Sequence, residues 1–321
     1  MFPVDRLRGG FLGLSLGDAL GGPYELRNSF SLNEYNGTIY QPVKWKARYG
    51  PILSSQIGSV TDDTSMTIAL LWVILKNQGW NEEETIIAYE NWANSGIKFL
   101  GKNTRALFHG VKTVNGYRSR KAKLDLSKME SNGSLMRAFP LILLFQYLSE
   151  DQAYLTALSD TNLSNDNPVN RDATLIYLTI LRFVLQETSP QEGVPQLISL
   201  AQTEPIKIAI TEAAQGINRN LTINKGWVAH AIYCSVQGWI QIATGKTFAE
   251  VINWIILKGG DVDTNACIAG SILGCYLGEE KMLQEPITAN NINIILNANT
   301  TEGDLCINAL YHPANALVAF K

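Results

Sequence analysis

Apolar residues recur at intervals of three and four along most of the chain, the spacing that lines one face of an α-helix. The pattern predicts helices over residues 4–20, 64–78, 82–95, 103–115, 134–148, 171–187, 192–202, 205–218, 227–243, 247–256 and 264–277. The two-residue alternation of a half-buried strand is scarce. Stretches rich in Gly, Asn, Ser and Pro separate the periodic runs, notably 27–60, 116–133 and 159–170. No low-complexity tract or long linker divides the chain. The expectation is one all-α domain spanning 1–321, built from about ten helices, with its function carried on the connecting loops.

Two of these helices carry a second periodicity. Gly9, Gly13, Gly17 and Gly21 fall at every fourth position of the first, and Ala266, Gly270, Gly274 and Gly278 do the same in the last. Residues four apart form a ridge, and Gly inside a helix costs about 0.5–1 kcal/mol relative to Ala. Close backbone packing is the gain that offsets such a cost. The spacing predicts a tight central pair between the first and last of these helices. That pair would bring Asp18 near the acids that precede the last helix.

Composition narrows the function classes. Hydrophobic residues make up 46% and charged residues 17%, with a net charge of −3. These values suit a soluble enzyme, supply no basic surplus for nucleic acid, and include no apolar run long enough to cross a membrane. The N-terminus sets Asp5 between Arg6 and an apolar start, unlike a signal peptide. Cys234, Cys267, Cys275 and Cys306 show no CxxC spacing, and two fall in an apolar helix, as free thiols of a reducing compartment would. The expected location is the cytoplasm. His109, His230 and His312 are scattered, so a metal bound here is expected to be oxygen-coordinated: Mg²⁺, Mn²⁺ or Ca²⁺.

The candidate chemistry lies at the mouths of two apolar helices. Thr61-Asp62-Asp63-Thr64 precedes one, and Gly259-Gly260-Asp261-Val262-Asp263-Thr264 precedes the other. Neighbouring carboxylates repel and resist burial, so they are either solvated caps or held by a cation. An N-cap explains one acid in each cluster. It does not explain two, and the helices that follow are too apolar to be solvated faces. Both clusters together read as one hard-metal site, with helix N-termini keeping the carboxylates ionised and aimed. Glu25 follows a helix end at Gly21-Gly22-Pro23 and sits on the next loop, where a glutamate is ordinarily solvated. Ser131-Asn132-Gly133-Ser134 offers backbone N–H groups to an anion or phosphate, although loops of this composition are also simple turns.

The stretches GDALGGPYE (17–25), TDDTSMT (61–67), GKNTRALFHG (101–110), NGSLMRAFP (132–140) and GGDVDTNACIAGSILGCYLG (259–278) resemble, in order, motifs of the ADP-ribosylglycohydrolase family. The resemblance implies a single all-α domain and two Mg²⁺ or Mn²⁺ ions held by Thr61, Asp62, Asp63, Asp261, Asp263 and Thr264. It implies hydrolysis at ribose C1″ of an ADP-ribosylated protein or related ADP-ribose conjugate, with release of ADP-ribose. Glu25, Asp62 and Asp63 are the implied catalytic groups. Asp18, Ser131, Asn132, Gly133 and Ser134 are the implied substrate wall. The chain departs from the family in one respect that touches function. Relatives commonly carry a Thr-His pair after the NGSLMR segment, and Asn162 takes the histidine's place in the present reading. That asparagine leaves open a non-catalytic alternative, a crystallin-like or ADP-ribose-binding member of the same fold. The acceptor linkage, the choice between Mg²⁺ and Mn²⁺, and the oligomeric state are not legible in the residues.

Overall fold

A computed structural model describes residues 2–25, 35–46, 52–97, 100–223, 225–299 and 308–320. The α-helices run in the order α1 (Val4–Gly21), α2 (Asp62–Asn77), α3 (Glu82–Ala93), α4 (Lys102–Phe108), α5 (Val114–Lys121), α6 (Glu150–Asn162) and α7 (Pro168–Leu185). They continue as α8 (Pro190–Leu200), α9 (Glu204–Ala214), α10 (Trp227–Ala243), α11 (Phe248–Ile256), α12 (Val262–Leu277), α13 (Glu279–Gln284), α14 (Pro286–Leu296) and α15 (Pro313–Leu317). Strands β1 (Lys44–Lys46) and β2 (Ile52–Ser54) form a small antiparallel hairpin with Trp45 opposite Leu53. No helix among the described residues is long and apolar enough to cross a membrane.

Most helices fall where the periodicity puts them, and the differences have local causes. The expected helix at 103–115 breaks into α4 and α5 at Gly110, whose φ of 73° belongs to the left-handed region. The apolar run 134–148 forms a 3-10 helix over Phe139–Gln146 instead of an α-helix. Pro140 lies in its first turn, where its missing N–H costs nothing, and Leu141 donates to Ala138, the i→i−3 bond of the tighter helix. The stretch 159–170, expected as loop, holds the end of α6 and the start of α7. Asn167 caps α7 by accepting from the Asn170 N–H, and Pro168 presets its first φ. Cys234, Cys267 and Cys275 are buried free thiols; Cys306 lies outside the described residues.

The glycine ridges meet as expected. A Cβ added to Gly13 would stand 2.1 Å from the Gly270 carbonyl oxygen, and one on Gly17 would stand 2.1 Å from that of Ala266. At Gly9 the carbonyl of Gly274 would be 2.4 Å away. The partners pair in opposite order, so α1 and α12 run antiparallel with their backbones in contact. Helix α12 is buried continuously from Val262 to Cys275, enclosed by α1, α7, α10 and α11. It is apolar all round for that reason, as a helix with no solvent face must be. Each fully buried Leu or Ile on it contributes about 1.5–3 kcal/mol.

Gly274→Ala places a methyl 2.0 Å from the Gly9 carbonyl oxygen, whereas a Cβ at Gly79 meets nothing closer than 3.7 Å. Gly274→Ala should therefore lower the thermal midpoint by several degrees, about 1–3 kcal/mol of overpacking, while Gly79→Ala changes it little. Equal midpoints for the two variants in a thermal melt would remove the case for the ridge.

Candidate active site

Three helix ends converge beside the ridge. Asp18, fully buried near the end of α1, accepts from the Thr61 N–H at 3.0 Å and the Thr64 N–H at 3.1 Å. It also accepts from the Thr61 hydroxyl at 2.8 Å and the Thr64 hydroxyl at 2.6 Å. This carboxylate thus clamps the N-terminus of α2, satisfying donors that a helix start leaves unpaired. Thr61 caps α2, and Asp62 and Asp63 occupy its first turn, where the helix dipole favours negative charge. On the other side, a Cβ on Gly21 would stand 2.4 Å from Asp263 Cα, so the last turn of α1 abuts the first turn of α12. Gly260 makes the turn into α12 with φ of 84°, and its absent side chain would stand 2.2 Å from the Leu221 carbonyl oxygen. Only glycine fits there, and the turn delivers Asp261 and Asp263 together.

The result is a cleft of about 440 Å³. Asp62, Asp63, Asp261, Asp263 and Thr264 form one wall, with Glu25 exposed at its mouth. Ser131, Asn132 and Gly133 form another, and Gly101–Thr104 and Trp227 complete it. Carboxylate oxygens of Glu25, Asp261 and Asp263 lie within 4.8 Å of one another. The Asn132 Nδ2 donates to Asp261 Oδ2 at 2.7 Å, which ties the two walls together. Asp63 Oδ2 accepts from the Thr61 hydroxyl at 3.1 Å, while its Oδ1 is buried without a partner.

None of the five cleft carboxylates joins an ion pair among the described residues, and Lys102 is the one cationic side chain in the described lining. The affinity of Glu25, Asp62, Asp63 and Asp263 for protons is raised. Loss of hydration pushes Asp63 and Asp263 well above the usual carboxylate range, with further repulsion from Asp18 on the first and Glu25 on the second. Asp62 is pushed up to about 7 by the same loss of hydration and then by Asp18. Glu25 rises to about 8 because the walls crowd its carboxylate and Asp261, Asp62 and Asp18 repel it, although water at the mouth screens part of this. An orphaned buried oxygen within an all-oxygen acidic set is what a hard divalent cation fits. Glu25, Asp261 and Asp263 could hold one by distance, and Asp62, Asp63 and Thr264 face the same space.

The structure sorts the residues singled out in the sequence. Glu25, Asp62, Asp63, Ser131, Asn132, Gly133, Asp261, Asp263 and Thr264 line the cleft. Thr61, Asp18 and Ser134 stand behind it: the Thr61 hydroxyl is engaged by Asp18 and Asp63, and Ser134 accepts from Asn170 at 3.1 Å. Asn162 ends α6 outside the lining and faces Arg171 at 3.5 Å. The asparagine set against the Ser131 loop is Asn165, three residues on, whose Nδ2 donates to the Ser131 carbonyl at 3.1 Å and hydroxyl at 3.0 Å. Trp227 and Met136 are lining residues that sequence reasoning missed. Trp227 opens α10 after Gly226, whose φ is 69°, and its ring stands edge-on to His230 at 6.3 Å. A tryptophan at a glycine-marked helix start was the one available signal.

Comparison with known proteins identifies the family. The sequence model of the ADP-ribosylglycohydrolase family matches residues 2–290, and the chain belongs to that family. A protein of Acanthamoeba polyphaga mimivirus bearing the name ADP-ribosyl glycohydrolase L543 is 25% identical over 325 residues, covering 92% of each chain. The ADP-ribosylhydrolase ARH3 of Mus musculus is 22% identical over 327 residues, covering 87% of this chain and 85% of its own. A solved structure described as an ADP-ribosylglycohydrolase-related protein complex superposes with a TM-score of 0.66 at 21% identity. It covers 91% of this chain and 97% of that one, a likeness of fold.

The raised proton affinity has a sign. Asp62 binds its proton up to about pH 7 in the folded chain, against an ordinary value of 3.8. Between those values the folded state holds more protons than the unfolded one, so stability falls as pH rises through that window and levels off above it. With divalent cations chelated, the thermal midpoint should drop between about pH 4 and pH 7, and drop less in Asp62→Asn. Parallel curves for the two proteins would show that Asp62 is not crowded.

Proposed function

We propose that this chain is a metal-dependent hydrolase that releases ADP-ribose from a modified protein side chain or a related ADP-ribose conjugate. The observation that carries the reading is the crowding of five carboxylates around one cleft, with Asp63 Oδ1 buried and unsatisfied. Two Mg²⁺ or Mn²⁺ ions held by Asp62, Asp63, Asp261, Asp263 and Thr264 would polarise ribose oxygens and lower the pKa of a bound water.

The chain's own residues supply the rest. Ser131, Asn132 and Gly133 offer hydroxyl and amide dipoles to the ribose and diphosphate oxygens across from the acids. Water attacks C1″ from the acidic wall, where Asp62 or Asp63 takes its proton. The bond from C1″ to the acceptor breaks with its electron pair on the acceptor atom. Glu25, in the cleft lining beside Asp261 and Asp263, would pass that atom a proton. The acidic wall also stabilises the positive charge that gathers on C1″ as the bond stretches, the shared demand of glycosyl hydrolysis.

Incubation with proteins ADP-ribosylated on arginine and on serine, with Mg²⁺ or with a chelator, tests the reading. Free ADP-ribose should accumulate from at least one linkage with metal and from neither without it. Asp62→Asn and Asp261→Asn should each cut the rate by about a hundredfold or more and abolish the calorimetric Mg²⁺ signal, with helical circular dichroism unchanged. The absence of ADP-ribose release from every linkage refutes the proposal.

A further inference from the structure

A second polar assembly lies behind the Ser131–Gly133 wall, wholly out of contact with water. Arg137 and Asp160 are both fully buried, with Nε donating to Asp160 Oδ2 at 3.1 Å and Nη2 donating to the Asp160 carbonyl at 2.9 Å. The remaining Nη1 donates to the Gly133 carbonyl at 3.1 Å and to the Ser164 hydroxyl at 2.9 Å. Tyr89 completes the assembly: its hydroxyl donates to Asp160 Oδ1 at 2.7 Å, and its ring lies 4.7 Å below the guanidinium. Ser164 passes the chain on to Asn165 at 2.8 Å, and Asn165 Nδ2 reaches the carbonyls of Met129 at 3.0 Å and Ser131 at 3.1 Å. Asn170 Nδ2 adds a second bond to the Ser131 carbonyl at 2.8 Å.

Stability alone does not account for such a pair. Two charges removed from water lose hydration that their attraction barely restores, and apolar residues of the same volume hold a core together as well. What the pair does is geometric. The carbonyls of Met129, Ser131 and Gly133 are all drawn into the protein by side-chain donors. In a trans peptide the C=O of one residue and the N–H of the next point in opposite directions. Drawing in the Ser131 carbonyl therefore turns the Asn132 N–H the other way, on the residue that lines the cleft. The same anchoring leaves the Asn132 side chain on Asp261.

We propose that the buried Arg137–Asp160 pair is a positioning device for substrate. Through Gly133, Ser164 and Asn165 it fixes the peptide planes of the Ser131–Gly133 wall so that the Asn132 N–H and the polar groups beside it receive the anionic part of the ligand. This deepens the hydrolase reading and rests on it for the identity of the ligand. Arg137 and Asp160 touch no substrate and are positioning residues.

Arg137→Met alone strands the Asp160 charge and is expected to fold poorly, so the informative protein is Arg137→Met/Asp160→Asn. It leaves no charge in this assembly and keeps an acceptor for Tyr89. Its circular dichroism and cooperative melt should remain. Backbone order parameters of residues 130–134 should fall from about 0.85 to below about 0.6, while those of α1, α2 and α12 hold. ADP-ribose affinity in the presence of Mg²⁺ should weaken about ten- to a hundredfold, with KM rising more than kcat falls. Arg137→Lys keeps the charge without the fork and should fall between the two proteins. A folded double variant whose loop stays rigid, or whose loop loosens without loss of ADP-ribose affinity, overturns the proposal. Wild-type protein that neither binds ADP-ribose nor releases it sinks the hydrolase reading instead, and the order parameters still decide whether the pair holds the loop.

Discussion

The close approach of α1 and α12 is the constraint from which the cleft follows. With no side chains between them at Gly13, Gly17 and Gly270, the two backbones touch, and little freedom remains in how far one helix slides along the other. That register places Gly21 against Asp263 and therefore sets the first turn of α12 beside the last turn of α1. Asp18, one turn earlier on α1, then seizes both threonines at the start of α2. Two helix N-termini are thus aimed into one space by a third helix that contributes no ligand of its own. Their dipoles favour the carboxylates they present, and the geometry is fixed by packing far more than by the acids themselves.

The acids work against the fold that holds them. Four aspartates and Glu25 repel, two of them are buried, and Asp63 keeps an oxygen with no donor. A chain selected for stability alone would not keep this arrangement, and such local conflict with folding is characteristic of functional sites. The surroundings offset it. Helix α12 is buried on all sides, Asp18 satisfies four donors, and the loop facing the acids is held by a network in which every guanidinium nitrogen of Arg137 finds an acceptor. Rigidity is supplied around the site so that charge can be concentrated within it.

Spacing made the central pair legible, because a ridge of glycines has few uses other than close packing. Paired acids before two apolar helices made a carboxylate cluster that could hold a cation legible on charge grounds. What escaped was tertiary. Asn162, read in the place of the family's histidine, ends α6 outside the lining, and neither the polar end of α6 nor the Asn167 cap that starts α7 shows in apolar periodicity. The run 134–148 has helical spacing, yet over Phe139–Gln146 it winds as a tighter 3-10 helix, which apolar spacing does not distinguish. Arg137 and Asp160 meet although they stand 23 positions apart in the chain, and neither is marked locally as buried. Trp227 reaches the cleft only because α10 begins there. Asp18, read as part of the substrate wall, became a clamp once its four donors were visible.

The glycine ridge also has a consequence for how the protein comes into being. Gly13 and Gly270 are about 250 residues apart, so the contact at the centre of the molecule is among the most non-local it makes. On a ribosome, α1 emerges first and waits for nearly the whole chain before α12 exists to receive it. Until then its uncovered glycine face and the apolar residues beside it have no partner, a condition that slows folding and invites association with other chains. The cleft closes in the same event, since its two acidic halves come from opposite ends of synthesis. No nascent fragment that stops short of α12 can assemble the acidic wall, and the cleft exists only once the core is complete.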